Sequence, residues 1–343
     1  MIRPPKLQLG DKVAIVSPSF AGPGQWPEIY QLGLHRLTKE FKLKPVEFPT
    51  TRQVRASARD RSVDLISAFR DKKIKAIIAS LGGNDQVTYV KNLPNQVFRE
   101  HPKAFFGFSD NTHLSNHLWL NSIISYYGGM ILTQFAFQQG MDPFTIKYLK
   151  KAMFVGGWTQ LEASHQYNDI DLDWADPNNI SKNRVYENNS GWFWDGQGMI
   201  EGISWGGCLE SIDEMLRHGI AIPSLTDFEN IILFTETSEE TPSKSYVFRV
   251  YRALGERGIL AKVKAFLVGR PKAWSFENQQ TTSAKKKYRQ AQRETIIEII
   301  RRYNPTAPIV QNLDIGHTEP QIPLPYGGKL KVDTSKREIW AKF

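Results

Sequence analysis

Four short stretches hold the side chains that could do chemistry. Ser80-Leu81-Gly82-Gly83-Asn84-Asp85-Gln86 sets a glycine pair after an apolar run. Glycines accept positive φ and allow close approach to the backbone, and N–H groups at a helix start can hold an oxyanion. A turn of this kind can display one side chain at its apex, here Gln86 or Asp85. Gln is not a nucleophile, however, and an ordinary tight turn uses the same glycines. Thr235-Glu236-Thr237-Ser238 follows a second apolar run, and an acid at a strand end can orient a histidine. Asp314-Ile315-Gly316-His317-Thr318-Glu319-Pro320 frames a histidine, the usual general base near neutral pH, with Gly and Pro. Gly107-Phe108-Ser109-Asp110-Asn111-Thr112 puts Ser109 and Asp110 where a strand would meet a helix. Both are also ordinary N-cap residues.

Two further features compete with these. His113 and His117 are four apart, a metal-ligand spacing on a helix, but no Glu lies between them and no third ligand is evident, so no metal is expected. Cys208 follows Gly206-Gly207. It is either a buried inert thiol or a helix-start thiol of lowered pKa.

The surrounding pattern shows what must position these groups. Lys12–Ser17, Leu43–Phe48, Ile74–Ser80 and Ala104–Phe108 read as strands, and Trp26–Phe41, Arg59–Arg70 and Thr112–Leu120 read as helices. In Arg59–Arg70 the apolar stripe is Val63, Ile66 and Phe69. Strands alternating with helices predict a mainly parallel sheet, with ligands at its carboxyl ends. Gly198–Trp205, Asn230–Thr235 and Ala265–Gly269 read as strands of a second region, with helices at Leu209–Arg217 and Ser243–Arg257 and short strands from Gln321 to Lys342. The fold class is therefore α/β, an N-terminal mainly parallel sheet flanked by helices and a smaller C-terminal α/β domain with short strands. The expected domains are 1–157, a Trp/Asp-rich linker at 158–197, and 198–343. That linker and the strand after it hold five of the nine tryptophans, which suits either an amine-binding cleft or a domain interface.

Composition narrows the class. The chain has 343 residues, 41% hydrophobic and 23% charged, ordinary for a folded protein and unlike a disordered chain, a collagen or a coiled coil. No apolar run reaches the ~18 residues of a membrane span, and no secretory leader is visible, so neither a membrane nor a secreted setting is expected. A single cysteine excludes an internal disulfide and fits a cytoplasmic compartment. The net charge is +9, yet Leu161–Glu240 holds 16 acidic and 3 basic residues. Lys285–Arg302 holds seven basic and two acidic residues beside Ile296, Ile297, Ile299 and Ile300. This run reads as a solvated helix face rather than a nucleic-acid patch, because no nucleic-acid motif accompanies it.

Taken in order, these segments resemble the LD-carboxypeptidase family, which includes the microcin C immunity peptidases. The resemblance rests on Leu9–Ser19, Gly82-Gly83, Phe106–Asp110, Gly206-Gly207, Phe234–Ser238 and Gly316-His317. It implies a two-domain serine peptidase, without metal or cofactor, that cleaves amide bonds beside a free carboxylate in peptides or muropeptides of peptidoglycan. It also implies a homodimer. By that similarity His317 is the general base and Glu236 its orienting acid. Gly83 and the amide of Val87 belong to the oxyanion hole, and Ser109, Asp110 and Cys208 lie in the substrate site. The family's nucleophilic serine then falls on Gln86, whose side chain is expected to point into the cleft. Three outcomes follow: a non-catalytic relative that binds a peptide or muropeptide, a substitute nucleophile such as Ser109 or Cys208, or a water activated by His317 and oriented by Gln86.

Overall fold

In the strand Ile74–Ala79 every side chain but Lys75 is buried, as a β-branched run covered on both faces requires. The computed structural model describes all 343 residues and makes this strand the middle of a six-stranded sheet. The spatial order is Leu324–Tyr326, Ser125–Tyr127, Ala104–Gly107, Ile74–Ala79, Lys12–Val16 and Lys44–Glu47. All neighbours run parallel except Leu324–Tyr326, which pairs antiparallel with Ser125–Tyr127. The last part of the chain thus closes the edge of the first sheet.

The helices between these strands end where their sequences say they should. Pro27–Phe41 begins with proline in its first turn and ends at Lys42 in the left-handed region. In Ala58–Arg70 the Ser57 side chain accepts a hydrogen bond from the Asp60 N–H, satisfying one of the unpaired first-turn donors. Its buried face is Arg61, Asp64, Leu65, Ala68 and Phe69. Val63, expected on the apolar stripe, is exposed. The polar Asp64 is buried in its place because its carboxylate accepts from Thr50 N and Oγ1 at 2.6 and 2.7 Å.

A second sheet has eight strands in the order Trp158–Leu161, Glu338–Lys342, Lys329–Asp333, Met199–Cys208, Ile231–Glu236, Ala265–Gly269, Ile309–Leu313 and Phe193–Asp195. The four strands from Met199–Cys208 to Ile309–Leu313 are parallel, and the outer ones are antiparallel. The stretch 158–197 is more than a connection, since it supplies both edge strands of this sheet. A 79-residue apolar core runs through both sheets. No helix is long and apolar enough to cross a membrane.

The uneven charge along the chain resolves into pairing. Lys285 on the helix Thr282–Tyr303 is buried, and its ammonium meets Asp169 at 2.7 Å and also Glu187. Arg289 on the same helix also meets Asp169. Ile296, Ile299 and Ile300 face the core. The acidic middle segment is thus held to the basic helix by buried, charge-assisted hydrogen bonds.

Candidate active site

Four strands deliver the candidate groups from their carboxyl ends, as the parallel topology requires. Ala104–Gly107 runs into Phe108 and Ser109, and Ile74–Ala79 runs into Gly82-Gly83. Ile231–Glu236 ends on Glu236, and Ile309–Leu313 leads to His317.

Glu236 and His317, 81 positions apart in sequence, are in contact. His317 Nδ1 lies 2.7 Å from Glu236 Oε2, and the Glu236 side chain is fully buried. Tyr127 donates its hydroxyl hydrogen to the other carboxylate oxygen, Oε1, at 2.5 Å. Gly316 is required here. At φ +93° an added Cβ would sit 2.3 Å from Glu236 Oε2, so any side chain would displace the acid.

The histidine loop is fixed from below. Arg270 and Asp314 are both fully buried and meet at 2.6 Å. Arg270 also donates to Thr318 Oγ1 and Asn312 Oδ1, each at 3.2 Å, and lies over the Tyr167 ring. Asp314 accepts from Ser164 N and Oγ as well. Removing one member of a buried pair leaves an uncompensated charge, at about 3–5 kcal/mol. Arg270→Met should therefore lower stability by about that much in a urea titration. An unchanged midpoint would show that this pair does not hold the loop.

Ser109 stands at φ +63°, a left-handed conformation uncommon for a non-glycine residue. Its N–H donates to the Tyr127 hydroxyl oxygen at 3.2 Å, and its carbonyl accepts from Thr112 Oγ1 at 2.7 Å. Tyr127 therefore links the serine turn to the His317–Glu236 pair. The Phe108 ring packs edge-on against the His317 ring, centroids 4.9 Å apart. The Gly82 position lies against Ser109, since a Cβ there would come within 2.9 Å of the serine Cβ. Gly83, at φ +145°, has no room for a side chain because Ser19 Oγ fills that space. Ser109, His317, Gly82 and Gly83 line one cavity of about 380 Å³.

Gln86 is elsewhere. Its side chain is fully buried and is absent from the cavity wall. Nε2 donates to Asn111 Oδ1 at 2.7 Å, and Oε1 accepts from the Leu114 N–H at 3.2 Å. Leu114 belongs to the first turn of the helix Thr112–Leu120, where N–H groups lack intrahelical partners. Gln86 thus caps the helix that follows Ser109, and the expectation that it points into the cleft is corrected. Three other expected site residues also lie off the cavity wall. Val87 sits in a short 3-10 turn outside it. Asp110 is buried behind Ser109, where its Oδ2 accepts from Ser19 Oγ, from Asp85 N at 3.1 Å and from Gln86 N at 3.0 Å. It ties the glycine turn to the serine turn without facing the cleft. Cys208 is buried, its Sγ donates to Glu210 at 3.2 Å, and burial, with the nearby Glu210 and Glu236 charges, raises its pKa well above the usual thiol range. It is the inert thiol of the two readings.

His113 and His117 do not converge on a common point. His113 Nε2 lies 3.0 Å from Glu214 Oε2, and His117 packs edge-on against Phe98. Asp110, His113 and Glu214 bring three potential ligand atoms within 4.8 Å of one another, but Asp110 already serves Ser19 and two backbone donors.

The cavity wall also holds Trp26, Arg184, Glu239 and Lys272, which the sequence did not single out, together with Trp174 of the Trp/Asp-rich stretch and Glu319 of the histidine loop. Glu239 matters for the histidine, because its Oε2 lies 3.2 Å from His317 Nε2 while its side chain is more than half exposed. Burial alone would lower the His317 pKa. The Glu236 carboxylate, by charge and hydrogen bond, and Glu239 by charge outweigh it and lift the value to about 9.

The chain matches the LD-carboxypeptidase N-terminal domain over residues 13–128 and the LD-carboxypeptidase C-terminal domain over residues 201–332. It is 27% identical over 352 residues to the "Putative carboxypeptidase YocD" of Bacillus subtilis, covering 98% of both chains. It is 24% identical to the "Probable murein peptide carboxypeptidase" of the same organism, covering 98% of this chain and 92% of that one. Among solved structures, a MccF-like protein from Streptococcus pneumoniae in complex with AMP superposes with a TM-score of 0.83 at 27% identity, over 97% of this chain and 99% of that one. Two sheets that meet at a His–Glu pair, both matched domains and relatives aligned along nearly the whole length place this chain in the LD-carboxypeptidase family.

Proposed function

We propose that the protein is an active serine hydrolase that removes a C-terminal residue from a peptide or muropeptide, with Ser109 as nucleophile, His317 as general base and Glu236 as its orienting acid. The observation that carries this reading is the conformation of Ser109. A serine held at φ +63° on a strand-to-helix turn, in the same cavity as a buried His–Glu pair, is the geometry of a nucleophile elbow. The name of the murein peptide relative supports the substrate class.

In the first step Ser109 Oγ attacks the scissile carbonyl carbon, and its proton passes to His317 Nε2. Glu236 holds Nδ1, which fixes the tautomer and stabilises the imidazolium that forms. The Gly83 N–H, on the wall of the same cavity as the serine, is the candidate donor to the oxyanion. The imidazolium then protonates the leaving amine, and the C–N bond breaks. Water attacks the acyl-serine ester with His317 again as base, releasing the acid and restoring the serine. A fluorophosphonate probe should label the native protein at Ser109, read by mass spectrometry of the peptides. Labelling elsewhere, or none at any pH, would remove this reading.

The same geometry sets a pH dependence. His317 must be neutral to take the serine proton, and at neutral pH its two carboxylate neighbours keep it charged. The rate of labelling should rise about tenfold per pH unit below about 9 and then level off. Glu239→Gln removes one negative neighbour, so the imidazolium loses stability and the rise moves to lower pH. At pH 7 the variant should react several-fold faster than the native protein. A profile that does not move would show that Glu239 does not act on the histidine.

A further inference from the structure

One stretch of the cavity wall is lined by residues whose buried hydrogen-bond donors have nothing to donate to. Arg184 Nε and Nη1 are buried and have no partner in the protein. The guanidinium is stacked on the Phe137 ring, 4.3 Å from its centroid, which fixes its plane. Gln138 is 98% buried, and its Nε2 is likewise without a partner. Arg184, Phe137 and Gln138 all line the cavity that holds Ser109 and His317. Buried polar groups are nearly always satisfied, and a buried cation even more so.

The nearest carboxyl groups are otherwise engaged. Asp171 is held by the Lys272 ammonium at 2.6–2.7 Å. Glu319 accepts from Gln134 Nε2, and burial pushes its pKa up to about 8, so that it is a neutral acid at physiological pH. Orphaned donors on a guanidinium and an amide, whose neighbouring carboxyl groups are engaged elsewhere, call for an acceptor-only ligand group. A carboxylate is the acceptor-only group that suits a charged donor of this kind, with charge-assisted hydrogen bonds from the guanidinium.

We infer that Arg184, assisted by Gln138, binds the free terminal carboxylate of the peptide substrate and so sets the specificity for a C-terminal residue. This rests on the hydrolase reading for the identity of the substrate. It goes beyond that reading in naming the group that distinguishes an end from an internal bond. Arg184 is a binding residue here and takes no part in the proton transfers.

The test separates binding from turnover. In a Ser109→Ala background, titration calorimetry compares a peptide ending in free D-alanine with the same peptide ending in D-alanine carboxamide. A charge-assisted pair of this kind corresponds to about a 10- to 150-fold difference, so the acid should bind tighter than the amide by that factor. Adding Arg184→Gln should bring the two within about threefold of each other, mainly by weakening binding of the acid. Gln138→Met, which keeps the charge, should narrow the preference only partly and guards against a fold defect in the arginine variant. Equal binding of acid and amide, a preference that survives Arg184→Gln, or no binding of either peptide would overturn the inference. So would binding of inorganic phosphate, but not the peptide acid, that is lost in Arg184→Gln. Fluorophosphonate labelling of the native protein is scored separately. If Ser109 is labelled and the acid preference is absent, only the role of Arg184 falls. If Ser109 is not labelled, the hydrolase reading falls while the titrations still report on Arg184.

Discussion

Ser109→Ala should abolish fluorophosphonate labelling and lower hydrolysis of a D-amino-acid-terminated peptide by about four to six orders of magnitude, with the fold intact. Loss of a nucleophile from a working triad is among the largest single-residue effects in catalysis, because the residual rate comes only from binding and oxyanion stabilisation. The fold should tolerate the change, since Ser109 is held through its backbone N–H and carbonyl rather than its hydroxyl. Gln86→Ser is the contrasting experiment. Its side chain bonds Asn111 and the Leu114 N–H in the interior, and a serine is too short to reach both. That variant should gain no labelling and lose about 1–3 kcal/mol of stability from the unsatisfied groups. New labelling at residue 86 would put the nucleophile on the glycine turn and overturn the assignment of Ser109.

Glu236→Gln should reduce turnover by about 10⁴-fold, the scale seen when the acid of a serine triad becomes an amide. The carboxylate accepts at both oxygens, from His317 Nδ1 at 2.7 Å and from the Tyr127 hydroxyl at 2.5 Å. An amide presents one acceptor and one donor, so it cannot satisfy both partners as the carboxylate does. If its NH₂ faces the imidazole, Nδ1 must be the acceptor and the ring adopts the wrong tautomer. The substitution also withdraws the charge that lifts His317 to about 9, so the remaining activity should show its rise with pH at a lower value. Gln is nearly isosteric, and circular dichroism should match the native protein. A loss of less than tenfold would show that His317 does not depend on Glu236 for orientation.

Much of this arrangement is legible in the sequence. The strands at Ile74–Ala79, Ala104–Gly107, Ile231–Glu236 and Ala265–Gly269 follow from apolar runs bounded by Gly, Asn and charged residues. The contact between Glu236 and His317 was expected from the resemblance and is present at 2.7 Å. The serine turn was also visible as Gly107-Phe108-Ser109-Asp110, a small residue, a spacer and a serine between a strand and a helix. The family resemblance sets the nucleophile position on Gln86 and leaves Ser109 as one substitute, because Gly82-Gly83 also lies between a strand and a helix. Both turns follow a parallel strand, and both carry residues that can cap a helix.

Local pattern determines which segments are strand or helix, because period and capping are properties of neighbouring residues. It therefore sets the α/β class and puts candidate groups at strand ends. It cannot say which of two similar turns faces the cleft, since that depends on partners far along the chain. Ser109 is exposed to the cavity because Tyr127 receives its N–H and Gly82 clears the space beside it. Gln86 is buried because the first-turn N–H of Leu114, 28 residues away, lacks another acceptor. The same holds for Arg184, which an isolated reading leaves as one basic residue in an acidic stretch. Only the packing of Phe137, Gln138 and Glu319 around one cavity makes it a cation without a partner. Sequence thus set the supply of functional groups, and tertiary burial selected among them by deciding whose hydrogen bonds were met inside the protein and whose were left for a ligand.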